Sequence, residues 1–378
     1  MTILDRYIFK SVFFSCAGAV LLLAFMLMLA NVLRDLLGPM LAGQLPILKF
    51  LSLTALLVPF TASYALPMGM LTGVLLTLGR LSADNEITAM RAAGISMPRL
   101  TRPVFVLAAL AAALGLYVNF EAMPHARVVY DRDLTEAMHA NPLNLIVPRT
   151  FIRQFPGYVL YIGSKDKGTL KDFWLWKLDS DHRVIQFVRA ASGRVDYDEK
   201  TNEIVVVLAN FQVEKLDEKN PEDFTESPAI PTAEMSDPIR LSLDSIFGRM
   251  VLRQKLPWMT YAELRSPIGM KQALADEHGD VRRAEMKVAL TIQEKFTLAF
   301  AVLSFALMGV PLGIQVSRRE TSANLGLAVT LALSYYFLTV MVGWLDRHPE
   351  YRPDILLWAP NLIFVVLGVW LFRRLSRR

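Results

Sequence analysis

The stretch Gly79-Arg80-Leu81-Ser82-Ala83-Asp84-Asn85-Glu86-Ile87-Thr88-Ala89-Met90-Arg91-Ala92-Ala93-Gly94-Ile95-Ser96-Met97-Pro98-Arg99 is a short polar segment between two long apolar ones. Ser82 is a residue type that caps helix N-termini, and Asp84 and Glu86 follow it where the helix dipole favours negative charge. Gly94 suits the left-handed position after a helix, and Pro98 opposes its continuation. The sequence therefore predicts a capped helix over residues 82–94.

This predicted helix is amphipathic. Ala83, Ile87, Met90 and Gly94 recur at helical spacing on one face, while Asp84 and Arg91 lie away from that face. Such a helix of about three turns between two apolar runs is expected to lie at a membrane surface.

Composition places the chain among membrane proteins. Of its 378 residues 53% are hydrophobic, and the mean hydropathy is +0.36. The single cysteine, Cys16, excludes a disulfide framework and a thiol metal site. The net charge of +5 does not indicate nucleic-acid binding, because Lys and Arg cluster in short loops beside the apolar runs.

Six uncharged runs are long enough to cross a bilayer, and they predict six transmembrane helices arranged three plus three. These runs cover residues 11–33, 50–78, 103–118, 296–316, 323–345 and 355–372. The first is longer than the apolar core of a signal peptide and lacks a convincing cleavage site, so it is expected to remain as a span. Two GxxxG spacings, Gly69 with Gly73 and Gly309 with Gly313, either admit close helix packing or reflect the abundance of small residues in membrane helices.

Residues 121–285 have a different character and predict an inserted all-β domain with a sandwich or jellyroll-like fold. Four segments rich in β-branched and aromatic residues are bounded by turn formers: 158–162, 173–178, 184–188 and 203–208. The acidic segment 214–237 is predicted to be a mobile surface loop, and residues 260–287 a helical connector. The predicted domains are thus 1–120 (spans one to three), 121–285 (β-domain and connector) and 286–378 (spans four to six).

Positive charge in the short loops predicts the orientation. One side carries Arg6, Lys10, Arg80, Arg91, Arg99, Arg102, Arg318, Arg319, Arg373, Arg374, Arg377 and Arg378. The other side carries only Arg34, Lys49, Arg347 and Arg352. Both termini and the helix at 82–94 are therefore expected in the cytoplasm, with the β-domain on the opposite side.

The chain contains no motif for catalysis. The P-loop, HExxH, paired-cysteine and GxSxG patterns are absent, and none of the five histidines has a metal-like helical partner. The cluster Asp276-Glu277-His278 has side chains that could bind a metal, but in a polar connector it is interpreted more simply as a solvated helix face. We therefore predict no catalytic residue and no metal site.

The six uncharged runs contain no Asp, Glu, Lys, Arg or His, whereas ion-coupled carriers usually place such groups at the membrane midplane. Energy for any transport is thus expected to come from a partner, and apolar walls suit a lipidic cargo. Arg34 and Lys49 flank the first outward loop. They are either snorkelling anchors or cationic contacts for a phosphorylated headgroup.

Several stretches resemble one family along nearly the whole chain. The stretch 78–96 is similar to the cytoplasmic coupling helix of the lipopolysaccharide-export permeases, the LptF/LptG (YjgP/YjgQ) family. Further similar stretches are Leu4-Asp5-Arg6-Tyr7-Ile8, Val58-Pro59, Leu66-Pro67 and Phe305-Ala306-Leu307-Met308-Gly309-Val310-Pro311-Leu312-Gly313-Ile314 followed by Arg318-Arg319. The run 85–90 is more similar to F-type members and the run 4–7 to G-type members, and together they favour the F-type.

The resemblance implies a non-catalytic permease subunit of the bacterial inner membrane. It would pair with a second permease of the family and sit on a dimeric cytoplasmic ABC ATPase, which uses ATP and Mg²⁺, so that this chain binds no cofactor itself. The complex would extract lipopolysaccharide and pass it through a periplasmic β-jellyroll to a bitopic jellyroll partner. Within the coupling helix, Glu86 would engage the ATPase, and Arg34 falls where F-type members place a basic residue facing the headgroup.

Two other classes of protein remain open at this point. One is a membrane-anchored sensor or scaffold with a β-domain and a cytoplasmic docking helix. The other is a membrane-bound modifying enzyme, for which the β-domain offers no paired carboxylates, nucleophile or metal cluster.

Overall fold

The structure is a computed structural model whose residues divide into two compact units. The helical unit comprises Met1–Leu33, Thr54–Tyr130 and Gln254–Arg378, and the sheet unit comprises Arg34–Leu53 and Asp131–Arg253. The residues described are 3–41, 45–140, 148–153, 155, 157–166, 169–179, 183–198, 201, 203–215, 232–235, 238–242, 255–277, 279–316, 321–345 and 349–377.

Helices account for most of the chain outside the sheet. They are α1 (Ile3–Asn31), α2 (Leu37–Leu41), α3 (Ile47–Leu56), α4 (Val58–Ala83), α5 (Glu86–Ala92), α6 (Met97–Tyr117), α7 (Met123–Ala140), α8 (Tyr261–Arg265), α9 (Pro267–Asp276), α10 (Val281–Val316), α11 (Thr321–Gly343), α12 (Pro353–Leu356) and α13 (Ala359–Ser376). Two π-helical turns, Val32–Leu36 and Val118–Ala122, follow α1 and α6, and a 3₁₀ turn covers Leu256–Trp258.

Six helical segments are long and apolar enough to cross a membrane. They are Ile3–Leu41, Ile47–Ala83, Met97–Ala137, Val281–Gln315, Leu325–Gly343 and Pro353–Ser376. Several are longer than the uncharged runs predicted, because a helix continues through polar residues beyond the apolar stretch that hydropathy detects. The fourth is the clearest case, since α10 begins fifteen residues before position 296.

The core of the helical unit is built around α4 and α10. One cluster joins buried residues of α1, α4, α6 and α10, including Val12, Val74, Val104 and Val302. A second cluster joins α4 and α10 to α11 and α13 through Phe305, Tyr335 and Phe364, whose rings lie 4.9–5.6 Å apart. The large exposed apolar side chains of α1, α11 and α13 are those expected of helices that face lipid.

The sheet unit contains one antiparallel sheet. Its strands are β1 (Phe151–Ile152), β2 (Tyr158–Asp166), β3 (Thr169–Leu178), β4 (Val184–Asp198), β5 (Glu203–Lys215), β6 (Thr232–Met235) and β7 (Ile239–Ser242). Strands β1 to β6 lie in chain order, and β7 also pairs with β5. Alternate residues such as Ile162, Phe173, Ala190 and Leu208 bury one face of the curled sheet.

The fold class predicted from the sequence is confirmed: six transmembrane helices in a three-plus-three arrangement with an inserted all-β domain. All four predicted strand segments are strands, each longer than its core of β-branched residues. The surface loop predicted over 214–237 is in part wrong, because Thr232–Met235 pairs with β5 as strand β6. Residues 216–231 of that segment lie outside the described residues, as does His278.

Candidate functional site

The polar segment between the second and third spans holds a helix shorter than predicted. Helix α4 continues to Ala83, and α5 begins only at Glu86. Asn85 separates them with a φ of 59°, a left-handed conformation that Asn tolerates better than most residues. The predicted N-cap at Ser82 is wrong. Its hydroxyl donates to the backbone oxygen of Ile314 at 2.9 Å instead, which ties the end of α4 to α10.

The C-terminal end of α5 has the predicted glycine. Gly94 has a φ of +84°, and its N–H donates to the backbone oxygen of Arg91 at 2.9 Å. The N–H of Ile95 donates to the backbone oxygen of Met90 at 3.1 Å. These two bonds form a Schellman motif, which satisfies the last carbonyls and turns the chain toward α6.

One face of α5 is anchored in the helical core. Ile87 is 3% exposed and belongs to the cluster of Leu81, Met97 and Leu100, while Met90 packs at its edge. Ala83 and Gly94, predicted on the same face, are exposed because one belongs to α4 and the other follows the end of α5. Ile87 therefore holds the helix in place, and the partly buried Met90 adds to the same packing.

The opposite face of α5 is open to solvent. Thr88, Ala89 and Ala92 are exposed, as is Asp84 in the preceding turn, while Arg91 is half-buried. A face of such short side chains lets another protein approach the helix backbone closely. The surface suits docking into a groove.

Glu86 lies at the N-terminus of α5, where the first-turn N–H groups favour its negative charge. The hydroxyl of Tyr7, on α1, donates to its carboxylate at 3.0 Å. Helix α1 is also joined to α4 through Arg80, whose guanidinium donates to the hydroxyl of Ser11 at 2.8 Å. The first span thus positions both the carboxylate and the loop that carries it.

The two cations predicted to meet a headgroup are paired with different carboxylates. Arg34 lies in the π-helical turn that follows α1, and its guanidinium forms a fork with Asp35 at 2.9 and 3.1 Å. Lys49 lies 3.7 Å from carboxylate oxygens of both Asp133 and Glu136. The side chain of Arg34 is 73% exposed. Neither the π turn nor these carboxylates was predicted from the sequence.

The four glycines lie where helices approach each other. A Cβ added at Gly69 would lie 2.7 Å from the backbone nitrogen of Val20, and one at Gly73 would lie 2.6 Å from that of Cys16. Helix α1 therefore packs directly against the backbone of α4. Gly309 and Gly313 are less crowded, with nearest side-chain atoms of α4 at 3.3 and 3.2 Å.

The chain matches the family model described as "Lipopolysaccharide export system permease LptF/LptG" over residues 6–374. It belongs to this family. It is 25% identical over 362 residues to the lipopolysaccharide export system permease protein LptF of Escherichia coli (strain K12), covering 93% of this chain and 89% of that protein. The LptF protein of Shigella flexneri aligns equally well. Both relatives are F-type, as the run 85–90 indicated.

This LptF/LptG permease contains a buried cation that the sequence reasoning missed. Lys295 lies one residue before the predicted fourth span and is 6% exposed. Its ammonium donates to the backbone oxygen of Met259 at 2.7 Å and lies 5.5 Å from the ring centroid of Phe120. It thereby binds the 3₁₀ turn Leu256–Trp258 to α10. From the sequence alone, Lys295 could not be distinguished from the charged residues that anchor the ends of a span at the membrane surface.

Within the described ranges, no group of three His, Cys, Asp or Glu side chains is arranged to hold a metal ion. Asp276 ends α9, and the carboxylate of Glu277 accepts a hydrogen bond from Lys287 at 2.7 Å.

Proposed function

We propose that this chain is the F-type permease subunit of an ATP-driven transporter that extracts lipopolysaccharide from the bacterial inner membrane. The observation that carries the proposal is helix α5. It is anchored in the helical core by Ile87, closed by a Schellman turn at Gly94, and exposed along Thr88 and Ala89. A helix that is fixed in the core on one side and exposed on the other can transmit the movement of a bound protein to the two spans that flank it.

The motor in this proposal is a dimeric cytoplasmic ABC ATPase, which uses ATP and Mg²⁺ and docks on α5. Glu86 is the residue expected to contact it, with Asp84 and Arg91 at the edges of the contact. The carboxylate of Glu86 already accepts a hydrogen bond of 3.0 Å from the hydroxyl of Tyr7. Because this bond orients the side chain before docking, little side-chain entropy is lost when the ATPase binds. The excess of Arg and Lys on the loops of this side supports a cytoplasmic location for α5 and both termini.

The substrate side of the proposal concerns charge and apolar surface. Arg34 has a planar fork that matches a phosphate, which would have to displace Asp35, and Lys49 adds a second cation at the start of α3. The curled antiparallel sheet has an apolar inner face of residues such as Leu160 and Val206, which is compatible with acyl chains. In this proposal the sheet unit is periplasmic and hands lipopolysaccharide to a similar jellyroll in a bitopic partner. A second permease of the same family completes the transmembrane pore.

The test uses the full-length chain carrying Glu86→Lys, co-expressed with the second permease and the ATPase and purified in mild detergent. We expect the amount of co-purifying ATPase to fall at least tenfold, because charge reversal at a docked carboxylate costs about 2–5 kcal/mol. The matched control is Glu285→Lys, an exposed residue near the start of α10, which is expected to leave the complex intact. Full ATPase recovery with Glu86→Lys, together with growth of a depletion strain, would contradict the coupling role and favour a sensor or scaffold.

A further inference from the structure

A small polar pocket lies in the helical unit between the second, third and fourth segments that are long and apolar enough to cross a membrane. Its polar lining includes Tyr64 of α4, Asn119 of the π-helical turn after α6, and Glu294 and Lys295 of α10. The centres of water molecules can occupy about 50 Å³ of this pocket. Because one water needs only about 10–15 Å³, the pocket has room for several.

Asn119 brings an unpaired side-chain oxygen to this pocket. The residue is 2% exposed, and its Nδ2 donates to the backbone oxygen of Lys295 at 3.1 Å. The other end of the amide, Oδ1, is buried and has no hydrogen-bond partner among the residues that the structure describes. Such an acceptor is rare, because a buried polar atom without a partner destabilises the fold. A hydrogen-bond donor is therefore expected beside Oδ1.

Asn361, on α13, is a second buried asparagine of the helical unit, and both ends of its amide are paired. The residue is 1% exposed. Its Oδ1 accepts a hydrogen bond from the hydroxyl of Ser304 at 3.0 Å, and its Nδ2 donates to the backbone oxygen of Thr297 at 2.9 Å. Protein groups alone can thus satisfy a buried asparagine between these helices. The unpaired Oδ1 of Asn119 is therefore a property of the pocket that this residue lines.

Three further groups at the pocket have unused hydrogen-bonding capacity. The ammonium of Lys295 has three N–H donors, of which one meets a hydrogen-bond acceptor in the described part of the chain, the backbone oxygen of Met259 at 2.7 Å. The carboxylate of Glu294 and the hydroxyl of Tyr64 form no hydrogen bond with any described residue. The pocket therefore combines groups that need an acceptor with groups that need a donor.

We propose that this pocket binds a cluster of ordered water molecules. The waters donate to Oδ1 of Asn119 and to the carboxylate of Glu294, and they accept from the ammonium of Lys295. Water fits because it both donates and accepts hydrogen bonds. A cation would satisfy the oxygen of Asn119 but would be repelled by the ammonium of Lys295. An anion would be repelled by Glu294 and would leave Oδ1 of Asn119 unpaired.

The water cluster forms a hydrated joint between α4, α10 and the π-helical turn after α6. Elsewhere α4 packs directly against α1, where a Cβ added at Gly73 would lie 2.6 Å from the backbone nitrogen of Cys16. A close contact of that kind fixes two helices in one arrangement. Bound waters can instead re-form their hydrogen bonds when the helices shift, so the joint tolerates movement of the spans. This inference concerns the helical unit alone and does not depend on the proposed function.

The test uses the full-length permease in lipid nanodiscs and hydroxyl radicals that X-rays generate from water. Radicals formed from an ordered water react with the side chains beside it, and Tyr64 and Met123 line the pocket. Asn119→Leu removes the oxygen that binds the water and is expected to lower the labelling of both residues at least about threefold. Asn361→Leu is the matched control. It removes two hydrogen bonds within the protein, and labelling at the pocket is expected to stay unchanged.

Unchanged labelling of Tyr64 and Met123 in a folded Asn119→Leu protein would contradict the proposal, because the radicals would then come from elsewhere. Size-exclusion profiles identify a variant that fails to fold. In that case an experimental structure of the unaltered permease, at a resolution that shows ordered water, decides the matter. Density for a water within about 3.2 Å of Oδ1 of Asn119 is the expected result. A dry pocket, a bound cation or a lipid atom at that place would overturn the proposal.

Discussion

The hydroxyl of Tyr7 donates a hydrogen bond of 3.0 Å to the carboxylate of Glu86, across 79 positions of sequence. The bond joins the first transmembrane helix to the helix proposed to receive force from an ATPase. The hydroxyl is also 3.3 Å from the other carboxylate oxygen, so that both oxygens face α1. Movement of α5 is therefore expected to displace α1 as well. Arg34 lies in the turn that follows the other end of α1.

Tyr7→Phe is predicted to weaken ATPase binding without abolishing it. The carboxylate of Glu86 remains but is no longer oriented, and a solvent-exposed bond of this kind corresponds to a loss of about three- to tenfold in affinity. The affinity of the reconstituted permease for the ATPase measures the effect. In a double-mutant cycle with Glu86→Gln, the two substitutions are expected to be non-additive. Strictly additive losses would mean that Tyr7 does not act through Glu86.

Gly73→Ala is predicted to destabilise the helical unit. The new Cβ would lie 2.6 Å from the backbone nitrogen of Cys16, so α1 must move away from α4. Overpacking of this kind costs about 1–3 kcal/mol, and the midpoint of thermal unfolding in detergent is expected to fall. Gly18→Ala on α1 is the control, because nothing lies within 4 Å of its Cβ position. A midpoint as high for Gly73→Ala as for Gly18→Ala would disprove close packing at this glycine.

The sequence predicted the elements of this fold better than the contacts between them. Uncharged runs mark spans, and alternating β-branched residues mark strands, because each depends on local burial. By contrast, Ser82 has the chemistry of an N-cap, yet the carbonyl of Ile314 lies within reach and takes its hydrogen bond. The break at Asn85 and the partner of Lys295 likewise depend on residues distant in sequence. The conformational preferences of a short stretch of sequence do not indicate such distant partners.

Gly94→Val is predicted to loosen the C-terminal end of α5. A β-branched residue at a φ of +84° is strained even though open space surrounds the position, and the cost is expected to be about 1–2 kcal/mol. Hydrogen exchange of the amides of Gly94 and Ile95, whose bonds close the Schellman turn, measures the loosening. Gly94→Asn is the matched substitution, because Asn adopts the left-handed region more readily, and it is expected to exchange more slowly than Gly94→Val. Equal exchange in both variants would argue against backbone strain as the cause.

Lys295→Met is predicted to release the turn at Leu256–Trp258 from α10. The substitution removes the 2.7 Å bond to the oxygen of Met259 but also removes the cost of burying a charge. Global stability is therefore expected to change little, while hydrogen exchange across residues 256–260 increases. Lys287→Met is the control, since its ammonium pairs with Glu277 outside this turn. Unchanged exchange across 256–260 would mean that other contacts hold the turn.

The fork between Arg34 and Asp35 leads to the last prediction. If Arg34 binds a phosphate of lipopolysaccharide, then Asp35 competes with the phosphate for the same guanidinium, at 2.9 and 3.1 Å. Asp35→Asn is therefore expected to raise crosslinking of lipopolysaccharide to a photoreactive residue placed in this turn, whereas Arg34→Glu is expected to lower it. The pair is exposed, so neither change is expected to alter stability by more than about 1 kcal/mol. Opposite effects of two changes at one ion pair distinguish substrate contact from anchoring, because an anchor at the membrane surface would respond to Arg34→Glu alone. Equal crosslinking in all three proteins would contradict a contact between Arg34 and the substrate.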